Sequence, residues 1–227
     1  MDNFWQSNLV GSLSTKTFDN YQIKTQTQKA ARAMIWDSLW FFRDDLTDDV
    51  KTSDLCPDIV TARLLILRGG FGTGKTHLLA AAANYLGKRA TDCLYITEAS
   101  LMDTLRRSMF DEGYFDEAKA INKLMRMSYV LVDDLAKTAP SAGTSQFVQR
   151  IWYRIIDSIY TEQNDGAFIL TTNLTITELS RYMGGAAASR LMELAAKSTV
   201  DMGDGDYRIK KALGQTNKNK RDVKEEN

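Results

Sequence analysis

Cysteine and proline each occur only twice in the 227 residues, and histidine once. Cys56 and Cys93 lie far apart and in no metal-ligand spacing, which argues against a disulfide framework or a thiolate metal site and leaves two reduced thiols, as in a cytosolic protein. Charge of one sign is also missing. Lys+Arg 29 against Asp+Glu 29 gives zero formal net charge, so any nucleic-acid surface is a local patch and not a global field. No apolar run approaches the roughly 20 residues of a membrane helix, and Met1-Asp2-Asn3 opens no signal peptide. The expectation is a cytoplasmic protein with no membrane partner. Internal repeats and low-complexity arrays are absent as well. What remains, 44% hydrophobic and 26% charged residues, suffices for one sizeable core and not for two full domains.

Against that plain background one octet stands out. Residues 69–76 are Gly-Gly-Phe-Gly-Thr-Gly-Lys-Thr, the phosphate-cradling pattern with Gly69, Gly74, Lys75 and Thr76 in its fixed places. An apolar run, Leu64 to Arg68, precedes it, and a strong helix-former, His77 to Leu86, follows. Glycine accepts dihedrals that turn successive N–H groups inward, and a helix N-terminus adds positive potential, so the loop surrounds a β-phosphate. The nucleotide-contacting run is Gly70, Phe71, Gly72, Thr73, Gly74, Lys75, Thr76 and His77. Lys75 reaches the β- and γ-phosphates, and Thr76 offers a hard oxygen to Mg²⁺. His77, on the first helical turn, receives no catalytic role.

Elsewhere the periodicity alternates between strand and helix. Thr25-Gln26-Thr27-Gln28 resembles a capping box opening a helix to about Arg43, with Ala30, Met34, Ile35, Leu39, Trp40 and Phe42 as its core face. Residues 44–58 are an acidic loop broken by Pro57. Short strands are expected at 93–97, at 129–132 running into Asp133-Asp134, and at 167–171 running into Thr172-Asn173, with a helix from Gln146 to Glu162 carrying Phe147, Ile151, Ile155, Ile156 and Ile159 on one side. Alternating strands and helices imply a parallel sheet covered on both faces, with ligands beyond the carboxyl ends of its strands. The phosphate loop, Asp133-Asp134 and Asn173 all fall at such ends.

Val130-Leu131-Val132-Asp133-Asp134 has the form of the second nucleotide motif of phosphate-loop ATPases, a buried strand projecting acids toward Mg²⁺. Asp133 is then an outer-sphere metal ligand, and Asp134 stands where a general base, usually Glu, acts on the attacking water. Thr171-Thr172-Asn173 can hydrogen-bond a γ-phosphate or hold that water. Arg190, placed just before a helix, is either a trans-acting charge on a neighbour's nucleotide or a surface ion-pair residue.

Taken together, Thr17-Phe18-Asp19-Asn20-Tyr21, the phosphate loop, Val132-Asp133-Asp134-Leu135, Thr171-Thr172-Asn173-Leu174, Ser189-Arg190-Leu191 and Asp206-Tyr207-Arg208 resemble the AAA+ ATPases of the DnaC/DnaI helicase-loader and IstB transposition-helper group. The resemblance spans roughly Thr17 to Ala212. It implies a three-layer AAA+ fold with a five-stranded parallel sheet, helices on both faces and no separate lid domain. It also implies ATP and Mg²⁺ as cofactors, single-stranded DNA as ligand, a replicative helicase or transposase as partner, and a homo-oligomer joined through nucleotide-bridged interfaces. Asn173 takes the sensor-1 place and Arg190 that of the arginine finger. The insert Ala99 to Ser128 takes the place of a DNA-lining segment, with Arg106, Arg107 and Lys123 either phosphate contacts or merely solvated charges, and Tyr114 and Phe115 either stacking residues or core. Residues 1–16 are a short N-terminal segment that either forms a minimal docking peptide with Phe4 and Trp5 as anchors or leaves docking to another surface, 17–212 are expected to be the ATPase domain, and 213–227 a charged, disordered tail.

The leading expectation is a helicase loader, with a transposition helper as its nearest rival. A small-molecule kinase would need an arginine-bearing lid, for which the sequence offers no candidate. A nucleotide-switched adaptor without turnover would not need the acid at Asp134.

Overall fold

The structure, a computed structural model, describes residues 9–41, 63–89, 92–107, 117–137, 144–161, 166–196 and 198–204. Five strands form one sheet: β1 (Leu64–Arg68), β2 (Cys93–Thr97), β3 (Tyr129–Leu135), β4 (Ala167–Thr172) and β5 (Thr199–Asp201). Their spatial order is β2-β3-β4-β1-β5, and every pairing is parallel. Both faces of these strands are covered, which is why they are nearly continuous runs of apolar residues.

The two-residue period sorts their side chains. Leu64, Ile66, Leu94, Ile96, Val130, Val132, Phe168 and Leu170 enter one core, against α3 (Glu98–Arg107), α4 (Glu117–Met125), α5 (Gln146–Tyr160), α6 (Ile176–Met183) and α7 (Gly185–Ala195). Leu65, Leu67, Tyr95, Tyr129, Leu131 and Ile169 enter the other, against α1 (Gln26–Phe41) and α2 (Lys75–Gly87). The α5 face of Ile151, Ile155, Ile156 and Ile159 is buried as its spacing predicts, together with Trp152. Each such aliphatic side chain contributes about 1.5–3 kcal/mol. This is the three-layer AAA+ arrangement with a five-stranded sheet.

Local signals explain the helix starts. Gln28 N–H donates to Thr25 Oγ1 at 3.1 Å while Gln28 Oε1 accepts from Thr25 N–H at 3.2 Å, so the capping box at α1 is formed. Thr175 and Glu178 make a second one at α6. The expected core face of α1 needs one correction: Ala30 is exposed and its neighbour Ala31 is buried beside Met34, Ile35 and Leu39. Phe42 and the side chain of Trp40 lie outside the described residues, as do Phe4, Trp5, Tyr114, Phe115, Asp206 to Arg208 and the tail. Short and weakly apolar, β5 gives no periodic signal of its own, and only pairing with β1 defines it. Residues ahead of Thr17 also join the core, since Asn84 Nδ2 donates to Leu13 O and Lys16 O, 2.8 Å each. No helix among the described residues is long and apolar enough to cross a membrane.

Candidate nucleotide site

The loop between β1 and α2 has the backbone its glycines permit. Gly72 and Gly74 have φ of +71° and +100°, values that residues with a Cβ rarely adopt. At Gly74 space is as restrictive as φ, because a Cβ there would stand 2.7 Å from Tyr21 Cε2. Tyr21 and Gln28 brace the loop from outside: the Tyr21 hydroxyl donates to Thr73 O at 3.4 Å and Gln28 Nε2 to the same oxygen at 3.0 Å. Lys75 is buried, and its ammonium donates to Gly69 O and Gly70 O, 2.7 Å each. Phe71 stands exposed in the loop.

The acids of β3 are sorted by the same two-residue period. Tyr95 on β2, Asp133 on β3 and Thr171 on β4 share the face that meets α2, and Thr76 opens α2 directly above them. Tyr95 OH donates to Asp133 Oδ2 at 2.7 Å, Thr76 Oγ1 to Asp133 Oδ1 at 3.2 Å, and Thr171 Oγ1 to the same Oδ1. Asp133 is only 2% exposed, so these donors stand in for the water a buried carboxylate has lost. Burial, followed by the charge and hydrogen bond of Asp133, raises the Tyr95 phenol above its ordinary pKa and keeps it a donor. Strict alternation would send Asp134 to the opposite face. A register shift between Val132 and Leu135 intervenes, Asp134 adopts φ +58°, and its N–H donates to Thr171 Oγ1 at 3.0 Å. A bulge of this kind re-aims a side chain, and here it turns Asp134 into a cavity of about 430 Å³ that Lys75, Thr76, Asn173 and Lys137 also line.

A second cavity of about 240 Å³ adjoins the other side of the loop, lined by Tyr21, Gln22, Lys24, Gln28 and His77 and sharing Gly72 and Gly74 with the first. His77 has a structural role that the sequence did not disclose. Its Nε2 lies 2.8 Å from Asn20 Oδ1 and 3.2 Å from Thr17 O, clamping the Thr17–Asn20 turn to the first turn of α2. Burial chiefly, and then Lys16, holds its pKa below the ordinary value against the opposing bond to Thr17.

Thus Lys75, Thr76, Asp133, Asp134 and Asn173 come together, and the basic candidates do not join them. Arg190 sits inside α7 and not ahead of a helix. Its Nε pairs with Asp157 Oδ1 at 3.0 Å, and its guanidinium lies over the rings of Tyr153 and Tyr160 on α5. Within one chain it is therefore an ion-pair residue that does not line the cavity. Arg106 pairs with Asp103 at 3.6 Å and covers Phe147, while Arg107 and Lys123 are exposed on α3 and α4. Two residues of consequence gave no sequence signal. Lys137 lines the cavity, and Glu98, at the start of α3, is a buried carboxylate accepting from Ala136 N–H at 2.6 Å, Trp152 Nε1 at 2.7 Å and the Tyr182 hydroxyl.

As a divalent-cation site the cluster is suited to Mg²⁺. Thr76 Oγ1 and Asp133 Oδ1 present two hard oxygens side by side, and no group of three or more His, Cys, Asp or Glu ligands occurs among the described residues. Mg²⁺ takes one or two protein oxygens in such sites and keeps several waters.

Comparison with known proteins gives a consistent answer. Residues 19–213 match the family profile described as IstB-like ATP binding protein. The replicative helicase loader DnaC of Escherichia coli strain K12 is 25% identical over 126 residues, covering 56% of this chain and 49% of the loader; the chain thus spans about half the length of such relatives. Among solved structures, the DnaC helicase loader superposes with TM-score 0.59 and 20% identity over 86% of this chain and 100% of that one. AMPPCP-bound DnaA from Aquifex aeolicus does so with TM-score 0.59 and 19% identity over 89% and 56%. Those two likenesses concern the fold.

Proposed function

The chain belongs to the IstB-like ATP binding family within the AAA+ group, and from that premise we propose that it hydrolyses ATP as an oligomer on single-stranded DNA and helps place a ring helicase. The observation that carries the ATPase part is the hydrogen-bonded junction at Asp133, where the phosphate loop through Thr76 and the sheet through Tyr95 and Thr171 meet on one carboxylate. Such a junction ties a bound phosphate chain to the acid beside it.

The triphosphate lies on the loop, with the Lys75 ammonium moving from Gly69 O and Gly70 O to the β- and γ-phosphates. The two cavities share loop glycines, so base and ribose extend into the smaller one, against Tyr21 and Gln28. Thr76 would offer its hydroxyl oxygen to Mg²⁺ and Asp133 would hold the ion from the outer sphere; the ion would supply neutralisation of phosphate charge when bound. Asn173 orients the γ-phosphate or the attacking water, and Asp134 takes a proton from that water. Arg190 acts across a subunit interface after leaving Asp157. The matching loader supports the helicase reading, and the family description equally admits a transposition helper. Affinity capture from the native host separates the two by identifying the bound protein.

Two variants test the site. Lys75→Ala should abolish ATP binding in calorimetric titration, because its ammonium is the main side-chain charge on the phosphates; unaltered affinity sinks the assignment. Asp134→Asn should bind ATP but turn over about 10²–10⁴-fold more slowly. Full turnover in that variant would place the base elsewhere.

A further inference from the structure

The turn after β3 returns a lysine to the cavity beside Asp134. Lys137 Nζ pairs with Asp134 Oδ2 at 2.5 Å, and both residues line the cavity with Lys75, Thr76 and Asn173. The backbone that brings it there is unusual. Asp134 and Ala136 have φ of +58° and +60°, left-handed values uncommon for residues with a Cβ and worth a reason when two occur within one turn. Groups from outside the turn hold them. Thr171 Oγ1 accepts from Asp134 N–H at 3.0 Å and the buried Glu98 carboxylate from Ala136 N–H at 2.6 Å, while Lys137 N–H closes the turn on Asp134 O at 3.2 Å. An exposed Lys–Asp pair contributes little to stability. The over-determined turn instead delivers a second ammonium to the phosphate cavity.

We propose that Lys137 is a catalytic cation for the terminal phosphate, paired with Asp134 until nucleotide arrives and then transferred to the γ-phosphoryl oxygens. The inference rests on the ATPase reading above. The Lys137 side chain is half exposed, 52%, so its flexible stem can swing without unpacking the core. A γ-phosphoryl group carries more negative charge than one carboxylate and draws the ammonium to itself. That exchange puts positive charge where the transition state needs it, and it frees Asp134 Oδ2 to accept a proton from water. The water oxygen then bonds to phosphorus, the bond from phosphorus to the β–γ bridging oxygen breaks, the proton goes to Asp134, and Lys137 stays protonated throughout.

The contact is specific to the third phosphate, so binding and turnover test it separately. With the full chain and Mg²⁺, calorimetry on Lys137→Ala should show a non-hydrolysable ATP analogue bound about tenfold or more weakly, the usual worth of a charged hydrogen bond. ADP affinity should stay within about twofold, since ADP lacks the contacted group. The same variant should turn over about 10²-fold more slowly, with Lys137→Arg recovering part of both losses and unchanged thermal unfolding in each. Equal effects on analogue and ADP, no effect on either, or faster turnover in Lys137→Ala would overturn the proposal, the last by leaving the lysine as a mere restraint on Asp134. A wild-type chain that binds the analogue yet never hydrolyses ATP defeats the ATPase reading, while the analogue-to-ADP comparison still judges Lys137.

Discussion

Removing the Glu98 carboxylate should unsettle the turn that carries Asp134 and Lys137, and the structure allows the loss to be sized. Glu98 is 4% exposed and accepts from the buried Ala136 N–H and Trp152 Nε1, besides the Tyr182 hydroxyl. Glu98→Ala strands at least the first two donors, and each buried unsatisfied donor costs about 1–3 kcal/mol. The expected loss is about 2–6 kcal/mol, a large part of the about 5–15 kcal/mol that holds a domain folded. Glu98→Gln keeps the shape and one acceptor but points an amide N–H at a second donor, so about 1–3 kcal/mol should go. A pH series adds a sign. Burial pushes the Glu98 carboxyl above its ordinary 4.5, against the lowering effect of its three hydrogen bonds. The native state then holds a proton that the unfolded chain releases, so the Glu98 contribution is fully present below 4.5 and declines as pH rises through the raised native value. The margin of wild type over Glu98→Gln should therefore be widest at the acid end of the series and narrow upward. Urea unfolding followed by circular dichroism at several pH values measures both effects. A loss under about 1 kcal/mol for Glu98→Ala, or a margin that widens with pH, would refute this account of the buried carboxylate.

Arg190→Ala should cost less than about 1 kcal/mol of stability, since its pair with Asp157 is only half-buried, yet remove ATPase activity. Mixing that chain with Lys75→Ala should restore activity above the sum of the two, and concentration-independent turnover indifferent to Arg190 would mark a self-sufficient monomer. If α3 tracks a DNA backbone, anisotropy with a labelled single strand should show affinity falling with salt at a log–log slope near about −0.7 per phosphate neutralised. Replacing Arg106 and Arg107 by Ala should flatten that slope for all sequences alike, and salt-insensitive binding would remove the DNA claim.

The local grammar of this chain was legible because its physics is local. Glycines at 72 and 74 permit a positive φ, an apolar run before them makes a strand, and an alanine-rich run after them makes a helix, so the strand–loop–helix geometry follows from one octet and its flanks. The same holds for the Thr25–Gln28 capping box and the isoleucine face of α5. The place of Asp133 was legible too, as an acid toward the carboxyl end of an apolar strand beside that loop. Its three hydroxyl partners were not, since Tyr95, Thr76 and Thr171 meet it only through strand register. Nor could alternation place Asp134, whose orientation comes from a bulge held by Thr171 on another strand. Three-residue β5 exists by pairing with β1 alone. For Arg190 the sequence left a trans-acting charge and a surface ion pair both open, and within one chain the fold pairs it with Asp157 over the rings of Tyr153 and Tyr160 on α5. Glu98 and Lys137 show the limit most clearly: one is a buried acid and the other an exposed base in the linear chain's least patterned stretches. Only tertiary packing, by bringing the Glu98 carboxylate to Ala136 N–H and folding Lys137 back onto Asp134, decides that one braces the turn after β3 and the other lines the cavity.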